Sequence, residues 1–149
     1  MRRTPLKKQS KSTSAQAKRR IQALLRKNAI LRDGGCVLRN YPEAGECGGY
    51  RNDGELILQA EHLISRTKAS TYGDMRNIVC LCQRHHFFWK KQNSRLYWEL
   101  IEDCIGKERW VWLKRAESDR KPYHFSLNDW INIEISLTQD LQKYETTSI

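Results

Sequence analysis

The sequence predicts an α+β protein, mostly helical, built as one folded domain. Three observations lead there. The chain has 149 residues, the ordinary size of a single domain. Apolar residues recur at helical spacing near both ends, while only two short stretches, ELILQAEH and IVCLC, read as strands. Three of the four histidines fall within residues 62–86, with Cys36, Cys47, Cys80 and Cys82 close by, a concentration that asks for a metal or a catalytic site.

Residues 1–13, MRRTPLKKQSKST, are basic, polar and broken by Pro5, so they predict a disordered arm, and the folded domain is expected over 14–149. From Ser14, read as an N-cap, Ile21, Leu24, Leu25 and Leu31 recur at helical spacing, and Gly34 and Gly35 stop the helix. Lys18, Arg19, Arg20, Arg26 and Lys27 fall mostly on its other faces. Residues 36–54, rich in Gly, Asn, Asp and Pro, read as a loop that needs a staple, and 55–62 as a short strand. The stretch 63–76 has no clear period and suits a long ordered loop over a site. NIVCLCQRHH is then an apolar piece leading into a helix through Phe87, Phe88 and Trp89.

The last third is helical in pattern. Leu96, Tyr97, Leu100, Ile101 and Cys104 share a face closed by Gly106, and KERWVWLKRA follows. Ser126 and Asp129 make a capping-box-like start to a final helix carrying Trp130, Ile133, Leu137, Leu141 and Tyr144. That apolar stripe either packs on its own domain or joins two copies as a homodimer. The aromatics Phe87, Phe88, Trp89, Trp98, Trp110 and Trp112 read as core rather than as base-stacking platforms.

Composition narrows the function classes. Hydrophobic residues make up 39% of the chain, so the core is modest and would profit from a bound metal. Lys and Arg number 27 against 17 Asp and Glu, a net charge of +10, and residues 1–32 carry eleven cations and no acid. Such an end attracts phosphate backbones by counterion release, which makes Arg19, Arg20 and Lys27 candidate DNA contacts; a solubilising tail is the bland alternative. No long apolar run, signal-peptide core or lipidation motif is present, so no membrane association is expected. Five cysteines, an odd number without a secretory signal, fit a reducing, cytoplasmic compartment.

Cys82 and His85 have the spacing with which one knuckle grips zinc, and Cys36 with Cys47 can supply the other two ligands. The ten residues between Cys36 and Cys47 exceed the usual gap of about two to four. Cys80, on the same side of an alternating strand as Cys82, could replace either; the cysteines could also be plain buried apolar residues.

The segments AEHLIS and NIVCLCQRHH resemble the signature of the HNH, or His-Me finger, endonucleases. The resemblance implies a ββα-metal core with a zinc knuckle, flanked by the basic N-terminal helix and the C-terminal helices, and metal-dependent hydrolysis of DNA phosphodiester bonds. It implies His62 as general base, Asn77 as the residue that holds the loop or the imidazole, and His86 as ligand of a catalytic Mg²⁺ or Mn²⁺. Glu61, where relatives often have Asp, would be the second protein ligand. Neighbours on a strand face opposite ways, so Glu61 and His62 serve one site only if the strand ends or bulges there. Arg66 and Lys68 are candidate phosphate contacts, or ordinary surface cations.

The likeness extends to phage NinG/Rap-type recombination nucleases through the RRTPLKK start, the run into LRD before the first Cys, and the YWELIEDCIGKERWVWL tail. Many of those have a compact Cys-x-x-Cys pair and a Cys-x-x-Cys-Asn knuckle, where this chain has Cys36 with Cys47 and Cys82-x-x-His85-His86. They imply cutting of branched DNA such as Holliday junctions during DNA recombination, a dimer, and a phage or prophage origin. Two alternatives stand beside this: an HNH nicking, restriction or homing-type nuclease without shape selectivity, and a zinc-dependent DNA-binding module without catalysis.

Overall fold

The computed structural model describes residues 13–119 and 125–147. The expected arm therefore lies, Thr13 apart, outside the described residues, as does His124. The first helix, α1, runs over Ser14–Asp33. Its cap is Thr13 rather than Ser14: the Thr13 hydroxyl accepts the Gln16 N–H at 3.2 Å, and the Gln16 side chain accepts the Thr13 N–H at 3.0 Å. The Gln three residues on selects Thr13, since only that pairing satisfies both orphan donors. Gly34, at φ 70, takes the left-handed turn that closes the helix.

Two strands form the sheet. β1 (Leu58–His62) runs antiparallel to β2 (Ile78–Cys82), with Leu58 opposite Cys82 and His62 opposite Ile78. β1 begins later than the expected residue 55, because the preceding residues turn on themselves: Arg51 N–H donates to the Glu55 carbonyl and Ile57 N–H to that of Gly49, both at 2.8 Å. The connection between the strands contains a short helix, α2 (Ala69–Tyr72), where the sequence shows no period.

β2 is buried along its whole length, which explains its unbroken apolar run. Ile78 and Cys80 face α1 and join Ala17, Ile21, Leu25, Ala29, Tyr72, Met75, Trp130 and Leu137 in one cluster. Val79 and Leu81 face the other way, into a cluster with Tyr97, Leu100, Ile101 and Leu113. The outer edge of β2 is closed by the chain after α1. Val37 N–H donates to the Cys80 carbonyl and the Asp33 carboxylate accepts the Cys80 N–H, both at 2.9 Å, while Arg32 and Arg109 donate to the Ile78 carbonyl.

After β2 the chain winds as a π-helix over Arg84–Trp89 and continues as α3 (Lys90–Gln92). α4 (Ser94–Ile105) and α5 (Lys107–Ser118) follow, meeting at Gly106. α6 spans Leu127–Thr147 and starts with the capping box expected: Ser126 accepts the Asp129 N–H at 3.1 Å, and the Asp129 carboxylate accepts the Ser126 N–H at 2.7 Å. Trp130 and Leu137 of α6 bury against α1, and the Asn28 amide donates to the Leu137 carbonyl at 3.0 Å. Of the stripe considered for a homodimer, Trp130 and Leu137 are buried within the chain, while Ile133 and Leu141 are half-buried. Among the described residues no helix is long and apolar enough to cross a membrane.

Candidate active site and metal centre

Cys36, Cys47, Cys82 and His85 converge so that one ligand atom of each lies within 4.8 Å of all the others. Cys36 follows the closing glycines of α1, Cys82 ends β2, and His85 sits on the first turn after it. The His85 Nδ1 faces the sulfurs of Cys82 at 3.1 Å, Cys36 at 3.4 Å and Cys47 at 3.9 Å. Neighbouring ligands around tetrahedral zinc stand about 3.5–3.8 Å apart, so little movement separates this cluster from a zinc site. The ring's other nitrogen, Nε2, donates to the Ala44 carbonyl at 2.9 Å, which leaves the Nδ1 lone pair toward the thiols. Hydrogen bonds from the Cys36 thiol and from the His85 backbone N–H help hold the Cys82 thiol far below its ordinary value against burial, whereas the bond to Cys82 and burial push Cys36 up. This donor set suits a metal ion such as zinc.

The long gap before Cys47 has a structural reason. Residues between the two cysteines fold onto the domain, with Leu38 and Ala44 fully buried and Tyr41 donating to Asp103 at 2.7 Å. Arg84 holds the returning strand by donating to the carbonyls of Ala44 at 3.0 Å and Glu46 at 2.6 Å. Behind Cys47, Gly49 has φ 89, and a Cβ there would lie 2.6 Å from Gln83 Cβ, so a side chain is excluded where the two turns touch. Cys80 is not a ligand. It lies in the cluster under α1, and burial pushes its thiol up to about 12, so it stays protonated.

The second constellation lies across the sheet end. His85 and His86, adjacent on the π-helix, meet different partners, the cysteine cluster and Glu61 respectively. His86 Nδ1 meets the Gln59 side-chain oxygen at 2.6 Å and its Nε2 meets Glu61 at 2.5 Å. Glu61 is 4% exposed, and its other oxygen pairs with Lys90. Burial works to raise the Glu61 carboxyl, but the hydrogen bonds and charges of His86 and Lys90 prevail and hold it below the ordinary carboxylate value.

His62 faces the opposite side of β1. Its Nε2 lies 2.9 Å from the Tyr72 carbonyl, its ring packs on that of Tyr72 at 4.6 Å, and its Nδ1 is buried without a partner. A carbonyl only accepts, so Nε2 carries the proton and Nδ1 the lone pair. Burial, with Arg66 nearby, keeps the imidazole below its ordinary pKa and hence neutral near pH 7, against opposing effects of the Tyr72 carbonyl and Glu61. His62 and His86 nonetheless line one cavity of about 270 Å³ together with Gln22, Arg26, Gln59, Arg66 and Phe87. His86 reaches it from the helix because β1 ends at His62.

Asn77 is fully buried and holds the loop between the strands. Its side-chain oxygen accepts the Ile64 N–H at 2.6 Å and its amide donates to the Thr71 carbonyl at 3.0 Å. The loop, and not the imidazole, is its partner.

The candidate DNA contacts divide. Arg66 is exposed at the cavity, and Arg19 is exposed on α1. Arg20 pairs with Glu134 at 2.7 Å and Lys27 with Glu145 at 3.8 Å, so both are partly committed to α6. Lys68 donates to the carbonyls of Ala116, Glu117 and Asp119 and caps the end of α5, a structural use of its charge. Phe87 and Phe88, expected in the core, are 42% and 67% exposed, whereas Trp89 is buried. The π-helix turns only one aromatic of the three inward.

Sequence reasoning missed Gln59, Tyr72 and Lys90. Lys90 stands four residues after His86, on the same helix face, and Gln59 two before Glu61 on the same strand face, so spacing could have found both. Tyr72 acts through its carbonyl, for which a sequence carries no signal. No family model, curated protein or solved structure matches this chain.

Proposed function

We propose that this protein is a metal-dependent DNA endonuclease of the HNH, or His-Me finger, type. One observation carries the proposal: the Tyr72 carbonyl fixes His62 Nε2 at 2.9 Å, and the neutral ring, whose Nδ1 is buried without a partner, lines a cavity shared with His86 and Arg66. A general base needs that state, a free lone pair at working pH in a ring that cannot rotate. On this reading the two strands and the following helix are a ββα-metal core, and the Cys36, Cys47, Cys82 and His85 cluster holds the structural zinc.

His62 takes a proton from water as the water oxygen attacks phosphorus in line, the P–O3′ bond opposite breaks, and the departing 3′ oxygen takes up a proton from solvent. Asn77 keeps the loop beside it in place through Ile64 and Thr71. Arg66 pairs with a phosphate oxygen at the cavity. Glu61 and His86, a carboxylate oxygen and an imidazole nitrogen side by side, are the residues that would hold a catalytic Mg²⁺ or Mn²⁺. That ion, when bound, stabilises negative charge on the phosphoryl and leaving oxygens. The exposed cations of α1 suit backbone contacts that position DNA without reading bases.

The test is cleavage of supercoiled plasmid by zinc-loaded protein with Mg²⁺ or Mn²⁺, with His62→Ala as control. Conversion to nicked or linear DNA that the variant loses supports the proposal. No cleavage by the wild type, or equal cleavage by the variant, refutes it. A panel of linear, nicked, forked and four-way DNA then tests the branched-DNA preference, which equal cutting of all four would remove.

A further inference from the structure

We infer that Lys90 is a stand-in cation for the catalytic metal: it neutralises Glu61 in the metal-free protein, yields the carboxylate when a divalent ion arrives, and is then released toward the DNA phosphate. The inference rests on the proposed role of Glu61 and His86 as metal ligands.

Glu61 is 4% exposed, and a buried carboxylate must be paired. Both of its oxygens are taken, one by His86 Nε2 at 2.5 Å and the other by Lys90. Each oxygen keeps a second lone pair, but a divalent ion there meets the repulsion of the Lys90 ammonium and so competes with a cation already in place. Of the two partners His86 is the more confined, with 12% of its side chain exposed and Gln59 on its other nitrogen. Lys90 is the movable one, since 31% of its side chain is exposed and its flexible stem reaches solvent.

The exit open to Lys90 is toward solvent, since the Tyr97 ring that its ammonium already meets at 5.1 Å is fully buried while 31% of the Lys90 side chain is exposed. The Tyr97 hydroxyl is itself fully buried without a partner, and its ionisation is opposed by burial and by the Glu61 charge. Lys90 also stands four residues after His86, so once released it stays near the end of the cavity that Arg66 and Arg26 line. Competition of this kind weakens metal binding in the free protein and favours loading together with DNA, whose phosphate gives the displaced ammonium a new partner.

Isothermal titration of Mn²⁺ into the zinc-loaded chain without DNA tests this, using wild type, Lys90→Met, Lys90→Gln and Glu61→Gln. Lys90→Gln keeps a hydrogen-bond donor for Glu61 without the charge, so a foldable variant remains if the Met side chain is not tolerated. Removal of the competing charge is expected to tighten Mn²⁺ binding about tenfold or more in either Lys90 variant, while Glu61→Gln abolishes it. Mn²⁺ should also raise the melting temperature of the Lys90 variants more than that of wild type. Unchanged or weaker binding in the Lys90 variants, with Glu61→Gln still abolishing it, overturns the stand-in role and leaves the metal site standing. Binding that survives Glu61→Gln overturns both the metal-ligand role of Glu61 and the inference built on it.

Discussion

The side-chain oxygen of Asn77 accepts the backbone N–H of Ile64 at 2.6 Å, and this bond fixes the loop that leaves β1 immediately after His62. The same residue receives the Leu63 N–H on its carbonyl at 2.9 Å and donates its amide to Thr71 at 3.0 Å. Replacing Asn77 with Ala orphans a buried N–H and a carbonyl, each worth about 1–3 kcal/mol, so a loss of about 2–6 kcal/mol in denaturant unfolding is expected. Equal stability of the Ala variant and wild type would refute this account of the loop.

Activity, on the proposed function, depends on a neutral His62. His62→Ala should lower cleavage by several orders of magnitude with little change in circular dichroism. The imidazole sits below its ordinary value of 6.5 because it is buried, so the acid limb of the pH–rate profile should have its midpoint below 6.5. Between the folded value and 6.5 the unfolded chain binds a proton that the folded chain does not, so stability also declines as the pH falls through that window. A midpoint above 6.5 would contradict the burial argument.

Metal at the cysteine cluster should be structural. Protein purified without chelator should carry about one zinc per chain, as expected for a closed four-ligand site. Zinc in such sites contributes on the order of 10 kcal/mol to folding, comparable with the whole stability of a domain, so chelation or Cys82→Ser should unfold the knuckle and lower the melting temperature sharply. Cys80→Ser should leave the zinc content unchanged, because Cys80 lies under α1. A zinc content near zero would sink the assignment.

Two exposed rings separate surface from site. Phe88, at 67% exposure, should be replaceable by Ala with a stability change within about 0.5 kcal/mol. Phe87 lines the cavity beside Arg66 and touches His86 at 4.4 Å between ring centres. If DNA enters there, Phe87→Ala should weaken binding of a single-stranded oligonucleotide by about 1–3 kcal/mol, as loss of a stacking ring does. Fluorescence anisotropy would measure it, and an unchanged affinity would place the ring outside the contact.

Much of the plan is written locally in the amino-acid sequence. The α+β class, both long helices, the Gly34 stop, the Ser126–Asp129 cap and the Cys82–His85 knuckle spacing follow from local chemistry: periodicity, caps and ligand spacing act within a few residues, so the sequence alone carries them, whereas the tertiary structure chose Cys36 and Cys47 over Cys80. The tertiary structure decided whatever depends on residues distant in the chain. It set Cys80 apart from Cys82, buried Trp130 and Leu137 of α6 against α1, spent Lys68 on the end of α5, and left Phe87 and Phe88 outside. It also placed Lys90 on Glu61 and the Tyr72 carbonyl on His62. Those pairings arise because folding buries Glu61 and half-buries His62 on opposite faces of β1, and which neighbour answers each polar group is a matter of packing that no local pattern records.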